Sequence, residues 1–427
     1  MAQGDMTAQR EIPQLVDNLF RHEAGKLISV LTKVFGADHM ELAEDVVQEA
    51  LAEALEHWQY RGIPERPAAW LYRVAKNKAL NIVNREGYHR RYASEVAHFL
   101  RSEPATEPAP YPLFSEEEIQ DDQLRMIFTC CHPALSPDSQ IALALKTLCG
   151  FSIPEIAKAY LTTEENIHKR LVRARQSIRD AKIPFEVPSG QDLEKRLHAV
   201  METVYLLFNE GYSASKGDEI IRYELCEEAI RLARIIVDDK TIRRKETVHA
   251  LLALMFINAS RFRARQDEAG NLLTLAEQDR SLWDKQLLGT GLGHLSMATQ
   301  NESISIYHIL AAISAQYSIA PSYEATDWQS ILSLYDSLIR LDDSPLIWLN
   351  RAIVVSKVSG ARQGLAELEK ISSHPAFTSY HLFYSTQAEF YIQDGDLERA
   401  VAALETAIRL ASVPSEISLL EKKLKML

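Results

Sequence analysis

Residues 161–180 read LTTEENIHKRLVRARQSIRD, a stretch that opens acidic and then turns almost wholly basic in a chain whose net charge is -12. Ile167, Leu171, Ala174 and Ile178 recur every three or four positions, the spacing of one buried stripe on a helix. Thr163 is placed to cap that helix. Just upstream, FSIPEIAKAY (151–160) sets Ile153, Ile156, Ala157 and Tyr160 at helical spacing. Ser152 and Glu155 make a capping box there, and Pro154 falls in the first turn, where a missing N–H is harmless. Two short helices joined by a tight turn, the second carrying Lys169, Arg170, Arg173, Arg175 and Arg179, match a helix-turn-helix and its recognition helix.

In that geometry Glu164, Glu165, Asn166 and His168 meet base edges while the cations behind them neutralise phosphates. The acidic opening is compatible with DNA, because Glu accepts from cytosine N4 and suits a helix N-terminus. On the residues alone, an ordinary surface helix with a solvated basic face is the competing reading.

Working outward, 427 residues with 46% hydrophobic and 25% charged side chains give ordinary globular proportions and room for several domains. The longest apolar run, ALLALMFI (250–257), is far short of the roughly 20 residues a membrane span needs. The amino terminus, MAQGDMTAQR, has no export pattern, so a cytoplasmic location is expected. Cys130, Cys131, Cys149 and Cys226 lack paired spacing; TCCHP puts His132 beside two thiols, but adjacent helical residues diverge, so core cysteines are expected rather than a metal site. No P-loop, HExxH or GxSxG occurs, and GTGLGH (289–294) reads as a loop, so neither an enzyme nor a cofactor is expected.

Charge is segregated along the first half. Arg66, Arg73, Lys76, Lys78, Arg85, Arg90 and Arg91 face only Glu86 within 66–91, whereas 103–122 is acidic throughout and carries Pro104, Pro108, Pro110 and Pro112. Residues 101–122 therefore read as an extended acidic linker, a solvated tether or an interacting segment. IPFEVPSG (183–190) marks a second boundary.

The motif S-x-x-E-I-A … [ST]-E-x-x-[IV]-x-x-R-L-x-R-A-R, running from Ser152 to Arg175, resembles domain 4 of bacterial extracytoplasmic-function (ECF) sigma factors. Leu161 stands where that family usually has the turn glycine. AEDVVQEALAEALEHW (43–58) followed by RPAAWLYRVAKNKALNIVNRE (66–86) resembles sigma domain 2 in order and spacing. The resemblance implies an all-α chain: 1–100 sigma domain 2, 101–122 linker, 123–186 domain 4, and 187–427 a helical block.

It also implies roles. Asp45, Gln48 and Glu49, which share one helix face, would dock on the beta-prime coiled coil of core RNA polymerase, with the beta flap as a further contact. Trp70, Tyr72, Arg73, Lys76, Asn77, Lys78, Asn81 and Arg85 would read and open the minus-10 element, combining aromatic platforms with a cationic groove. Thr163, Glu164, Glu165, Asn166, His168, Lys169, Arg170, Arg173 and Arg175 would bind the minus-35 element. Without the family, Asp45, Gln48 and Glu49 form a solvated acidic face, and Trp70, following Pro-Ala-Ala, is more often a core residue than a platform.

From 191 onward the pattern is helical. Residues 380–414 resemble a tetratricopeptide (TPR) repeat in the offsets of Tyr384, Ala388, Tyr391, Ala400, Leu404 and Ala407; Trp348 and Ala352 suggest a weaker earlier copy. LFNEGYSAS (207–215) and the segment 326–345 resemble a sigma subgroup fused to a TPR-like extension, which implies a protein partner for that block. The rival readings are a TPR-type scaffold and an ordinary helix-turn-helix regulator.

Overall fold

The structure, a computed structural model, describes residues 19–20, 23–85, 115–160, 162–212, 221–267, 273–300, 304–411 and 414–427. Their regular elements are helices, in keeping with the all-α expectation, and packing divides the chain into two units, Met1–Leu206 and Leu207–Leu427.

The first unit begins with α1 (residues 23–35), a 3-10 turn (Ala37–His39), α2 (Met40–Arg61) and α3 (Pro67–Arg85). Helix α1 is buried over most of its surface, including Leu27, Ile28, Val30, Leu31, Ser29 and Thr32, with Lys26 and Lys33 partly exposed. A helix this apolar must be clasped by neighbours on most sides. It ends at Gly36, whose φ of 90° is open to glycine and costly for other residues.

Helix α4 (Glu116–Cys130) follows, capped by the Ser115 hydroxyl, which accepts from the Glu118 N–H at 3.3 Å. This corrects the linker reading for 116–122. Glu116, Glu117 and Glu118 are the first turn of a helix, where carboxylates meet the positive end of the macrodipole. Residues 101–114, with all four prolines, lie outside the described residues.

Helix α5 (Pro137–Thr147) has proline in its first turn; α6 (Ile153–Ala159) and α7 (Glu164–Asp180) complete the helix-turn-helix. The boundary expected after 186 falls before α8 (Gly190–Tyr212), yet α8 packs its first turns on α4 and α5. Arg196 donates to the Phe128 carbonyl at 2.7 Å with its guanidinium over the Phe128 ring, and the Thr203 hydroxyl donates to Gln140 Oε1 at 2.9 Å. Cys130 and Cys131 are buried in this core, and burial pushes both thiols up, away from reactive thiolate.

In the second unit α9 (Tyr223–Asp238), α10 (Glu246–Ala259), α11 (Lys285–Ala298) and α12 (Ile306–Ile319) precede α13 (Trp328–Ile339), α14 (Pro345–Ser359), α15 (Ala361–Ile371), α16 (His381–Asp394), α17 (Leu397–Leu410) and α18 (Pro414–Leu424). GTGLGH is not a loop but the middle of α11. Gly291 is there for packing, since a Cβ on it would lie 2.7 Å from Ile257 Cγ1 and 3.0 Å from the Ile257 nitrogen, so α10 and α11 meet nearly backbone to backbone. From α13 on, helices pack mainly on their chain neighbours. Successive cores form around Ile331 and Leu338, around Leu368 and Phe383, and around Leu404 and Leu420. Ala352, Ala388, Ala400, Leu404 and Ala407 are all buried, the alanines allowing close helix approach.

Candidate nucleic-acid interface

Both predicted caps of the helix-turn-helix are made. Glu155 accepts from the Ser152 N–H at 2.7 Å while Ser152 Oγ accepts from the Glu155 N–H at 3.3 Å. Thr163 Oγ1 accepts from the Asn166 N–H at 3.2 Å, which opens α7. Ile167, Leu171, Ala174 and Ile178 are buried, fixing the roll of α7 about its axis. Glu164, Glu165, Asn166, His168, Lys169 and Arg173 are consequently exposed together. Three of the expected cations are engaged elsewhere in this packing: Arg170 pairs with Asp138 at 3.1 Å, Arg175 with Glu44 at 2.6 Å and Arg179 with Glu41 at 2.9 Å. Leu161, in the turn, lies outside the described residues.

Helix α3 sorts its residues in the same way. Leu71, Val74, Ala75, Ala79 and Val83 are buried, which brings Arg73, Asn77 and Asn81, four residues apart, to one exposed face. Tyr72 instead donates to Glu23 of α1, and burial with that carboxylate pushes its hydroxyl up. Lys76 is buried. Lys78 bridges Glu49 and Glu53 of α2 at 3.3 and 3.1 Å. Trp70 rests half-buried on Trp58 (5.6 Å) and His57 (5.5 Å). Of Arg85 the helix position alone is described. On α2, Asp45, Gln48 and Glu49 are exposed side by side.

Comparison with known proteins decides what these helices belong to. Residues 19–89 match the family described as Sigma-70 region 2, and 125–178 match Sigma-70, region 4. Residues 196–299 match a family of unknown function, DUF6596. The chain is an ECF-type sigma factor with a C-terminal extension. It belongs to one family with "Uncharacterized protein R00370" of Rhizobium meliloti (strain 1021), 36% identical over 403 residues that cover 93% of this chain and 94% of that protein. No solved structure matches. A sigma factor of this kind directs core RNA polymerase to promoters, and promoter DNA and the polymerase are its partners. No helix among the described residues is long and apolar enough to cross a membrane.

Sequence reasoning about the sigma factor did not assign roles to Glu41, Glu44, Lys33 or Gly25, all at the seam between regions 2 and 4. Arg179 donates to Glu41 at 2.9 Å and Lys33 to Glu118 at 2.6 Å. Glu44 had a visible signal: it stands three and seven residues before Val47 and Leu51 on the buried stripe of α2, where a carboxylate needs a partner. That partner lies 131 positions away, beyond the reach of periodicity. Burial holds the Glu44 carboxyl above the usual range, opposed by Arg175.

Proposed function

We propose that this sigma factor docks on core polymerase through Asp45, Gln48 and Glu49, on the beta-prime coiled coil, and reads the minus-10 element with Arg73, Asn77 and Asn81. The observation that carries this reading is the sorting of α2 and α3. The three acidic or amide side chains share one exposed face, the three DNA-type side chains another, and their apolar neighbours are buried. Trp70, Tyr72 and Lys78 then support the reading helix, holding α3 on α1 and α2, while Lys76 is buried. At the other end, Thr163 shapes the start of α7, and Glu164, Glu165, Asn166, His168, Lys169 and Arg173 read and grip the minus-35 element, with the beta flap holding region 4 on the polymerase.

The chain works in the cytoplasm as a binding protein, without chemistry of its own. Its C-terminal block is a TPR-like stack that binds a protein partner; the successive neighbour-on-neighbour packing of α13–α18 and the buried alanines support this.

The test is binding of purified chain to core polymerase and to promoter duplex. Charge reversal at Asp45 and Glu49 should abolish polymerase binding, and Asn77→Ala with Asn81→Ala should leave it intact while losing promoter opening. Tight, sequence-specific duplex binding by the chain alone would favour an ordinary helix-turn-helix regulator instead.

A further inference from the structure

Three arginines of the second unit hold carbonyls, an amide and a phenol, and none is paired with a carboxylate among the described residues. Arg261 donates through Nη2 to the Tyr212 hydroxyl at 3.0 Å and to Asn258 Oδ1 at 2.6 Å. Arg265 covers the face of the same tyrosine, its guanidinium carbon 3.9 Å from the ring centroid, and donates to the Tyr212 carbonyl. Asn258 also accepts from Ser314 of α12 at 3.2 Å; one turn further along, Arg280 donates to the Tyr317 and Ala320 carbonyls at 2.9 and 2.7 Å. Tyr212, Asn258 and the end of α12 thus gather all three guanidinium groups. Glu324, exposed on the surface, acts on Arg280 without forming an ion pair with it.

This arrangement leaves positive charge and hydrogen-bonding capacity over. Arginine stays charged at ordinary pH, so its burial is not relieved by losing a proton. Burial, with the Arg261 charge beside them, holds Arg265 and Arg280 below the usual arginine range. The carbonyl ends of α8 and α12 offset roughly half an elementary charge each, so about two positive charges remain. Donors remain as well. Arg261 Nε, Arg280 Nη2 and the indole Nε1 of Trp283 are buried with no hydrogen-bond partner. Trp283 is 6% exposed and lies against the Arg280 guanidinium, whose carbon is 4.4 Å from the ring centroid. Buried donors without acceptors are costly, and one anion placed among them supplies both the acceptors and the missing charge.

We propose that Arg261, Arg265, Arg280 and Trp283 form a binding site for a small phosphate-bearing molecule, inside the segment that matches the family of unknown function. Guanidinium forks take phosphate oxygens in pairs, and the indole N–H adds a further donor. Depth sets the class of ligand: Arg265 and Trp283 are 8% and 6% exposed, out of reach of a duplex backbone but not of a phosphate on a small molecule. From Arg265 an aromatic wall of Tyr212, Phe262 and Tyr223 runs outward to Tyr223, which is 43% exposed and marks the way in for the organic part of the ligand. Every residue of the site lies in the second unit, so the inference goes beyond the sigma reading and does not depend on it.

The test titrates the full chain with inorganic phosphate and with glucose 6-phosphate, at ionic strength held constant with sodium chloride, and follows tryptophan fluorescence and the thermal midpoint. Saturable quenching is expected, with a midpoint that rises with either phosphate and not with chloride alone. Arg261→Gln and Arg280→Gln should each weaken binding by about tenfold or more. Arg261→Lys, which keeps the charge and loses the fork, should fall between wild type and Arg261→Gln. Tighter binding of the sugar phosphate than of inorganic phosphate would assign the site to a phosphate ester; equal binding would assign it to phosphate itself. A midpoint that neither probe moves beyond the chloride control would overturn the site. So would wild-type affinity in the glutamine variants with helical content intact; should those variants lose helix, wild-type affinity in Arg261→Lys overturns it instead.

Discussion

Arg175 donates to Glu44 across 2.6 Å, tying the recognition helix to the first turns of a helix 131 residues earlier in the chain. Its neighbour Arg173, on the same helix, is exposed. Two arginines two positions apart therefore answer to different forces, and substitution should separate them.

Arg175→Ala leaves Glu44 buried without its partner, which typically costs about 3–5 kcal/mol. Thermal unfolding of the full chain should show that loss in the first unit. Arg173→Ala should leave unfolding unchanged, weaken promoter binding by the holoenzyme at all sequences, and reduce the salt dependence by about one phosphate contact. Replacing Arg175 and Glu44 together by Met and Leu should recover most of the stability.

On α3 the same logic sets Tyr72 against Asn77 and Asn81. Tyr72→Phe removes the hydroxyl that donates to Glu23, and should cost stability with little effect on start-site choice. Asn77→Ala with Asn81→Ala should do the reverse: unchanged unfolding, but loss of promoter opening measured by permanganate reactivity of thymines near the start site.

The helix-turn-helix was legible in detail because its signals are local. Ser152, Glu155 and Thr163 cap within three residues, and Ile167 to Ile178 reveal their stripe by spacing. The inward placement of Tyr72 and Lys76 was not legible. Both side chains are amphipathic, and a Tyr or Lys on a basic helix looks the same in sequence whether its stem is buried or its tip meets DNA. Glu116 to Asp122 misled for a related reason: carboxylates mark a solvated tether and a helix first turn alike, and the deciding residue, Ser115, is a single cap. Gly289, Gly291 and Gly293 read as a loop because glycine weakens a helix, but at Gly291 closeness to Ile257 outweighs propensity.

Gly291→Ala should accordingly destabilise the second unit despite alanine's helix preference. The added carbon would press on Ile257, and overpacking of this kind costs about 1–3 kcal/mol. A higher melting temperature for the variant would mean that α10 and α11 yield at no cost.

Acidification should act oppositely on the two units. Asp122, buried on α4 beside Lys33 and Arg125, has its carboxyl raised by burial to about 6. Between about pH 4 and 6 the folded state holds a proton there that the unfolded chain has lost, so this group's contribution to stability falls as pH rises. His294 hydrogen bonds His249 at 2.9 Å, and burial, aided by His249 and Arg234, lowers its pKa to about 4. There the unfolded chain binds the extra proton between about pH 6.5 and 4, so the second unit weakens as pH falls. Hydrogen exchange at pH 7 and pH 5 should show protection falling around α10 and α11; Asp122→Asn should remove the opposing slope from the first unit.

The most direct measurement is transcription in vitro with purified core RNA polymerase from the source bacterium and promoters from its genome, with and without this chain. Initiation is expected at discrete start sites only when the chain is present, and is expected to be lost with Arg173→Ala and with Asn77→Ala plus Asn81→Ala. Absence of initiation by the full chain, under conditions where another sigma factor works on the same polymerase, would contradict the sigma assignment.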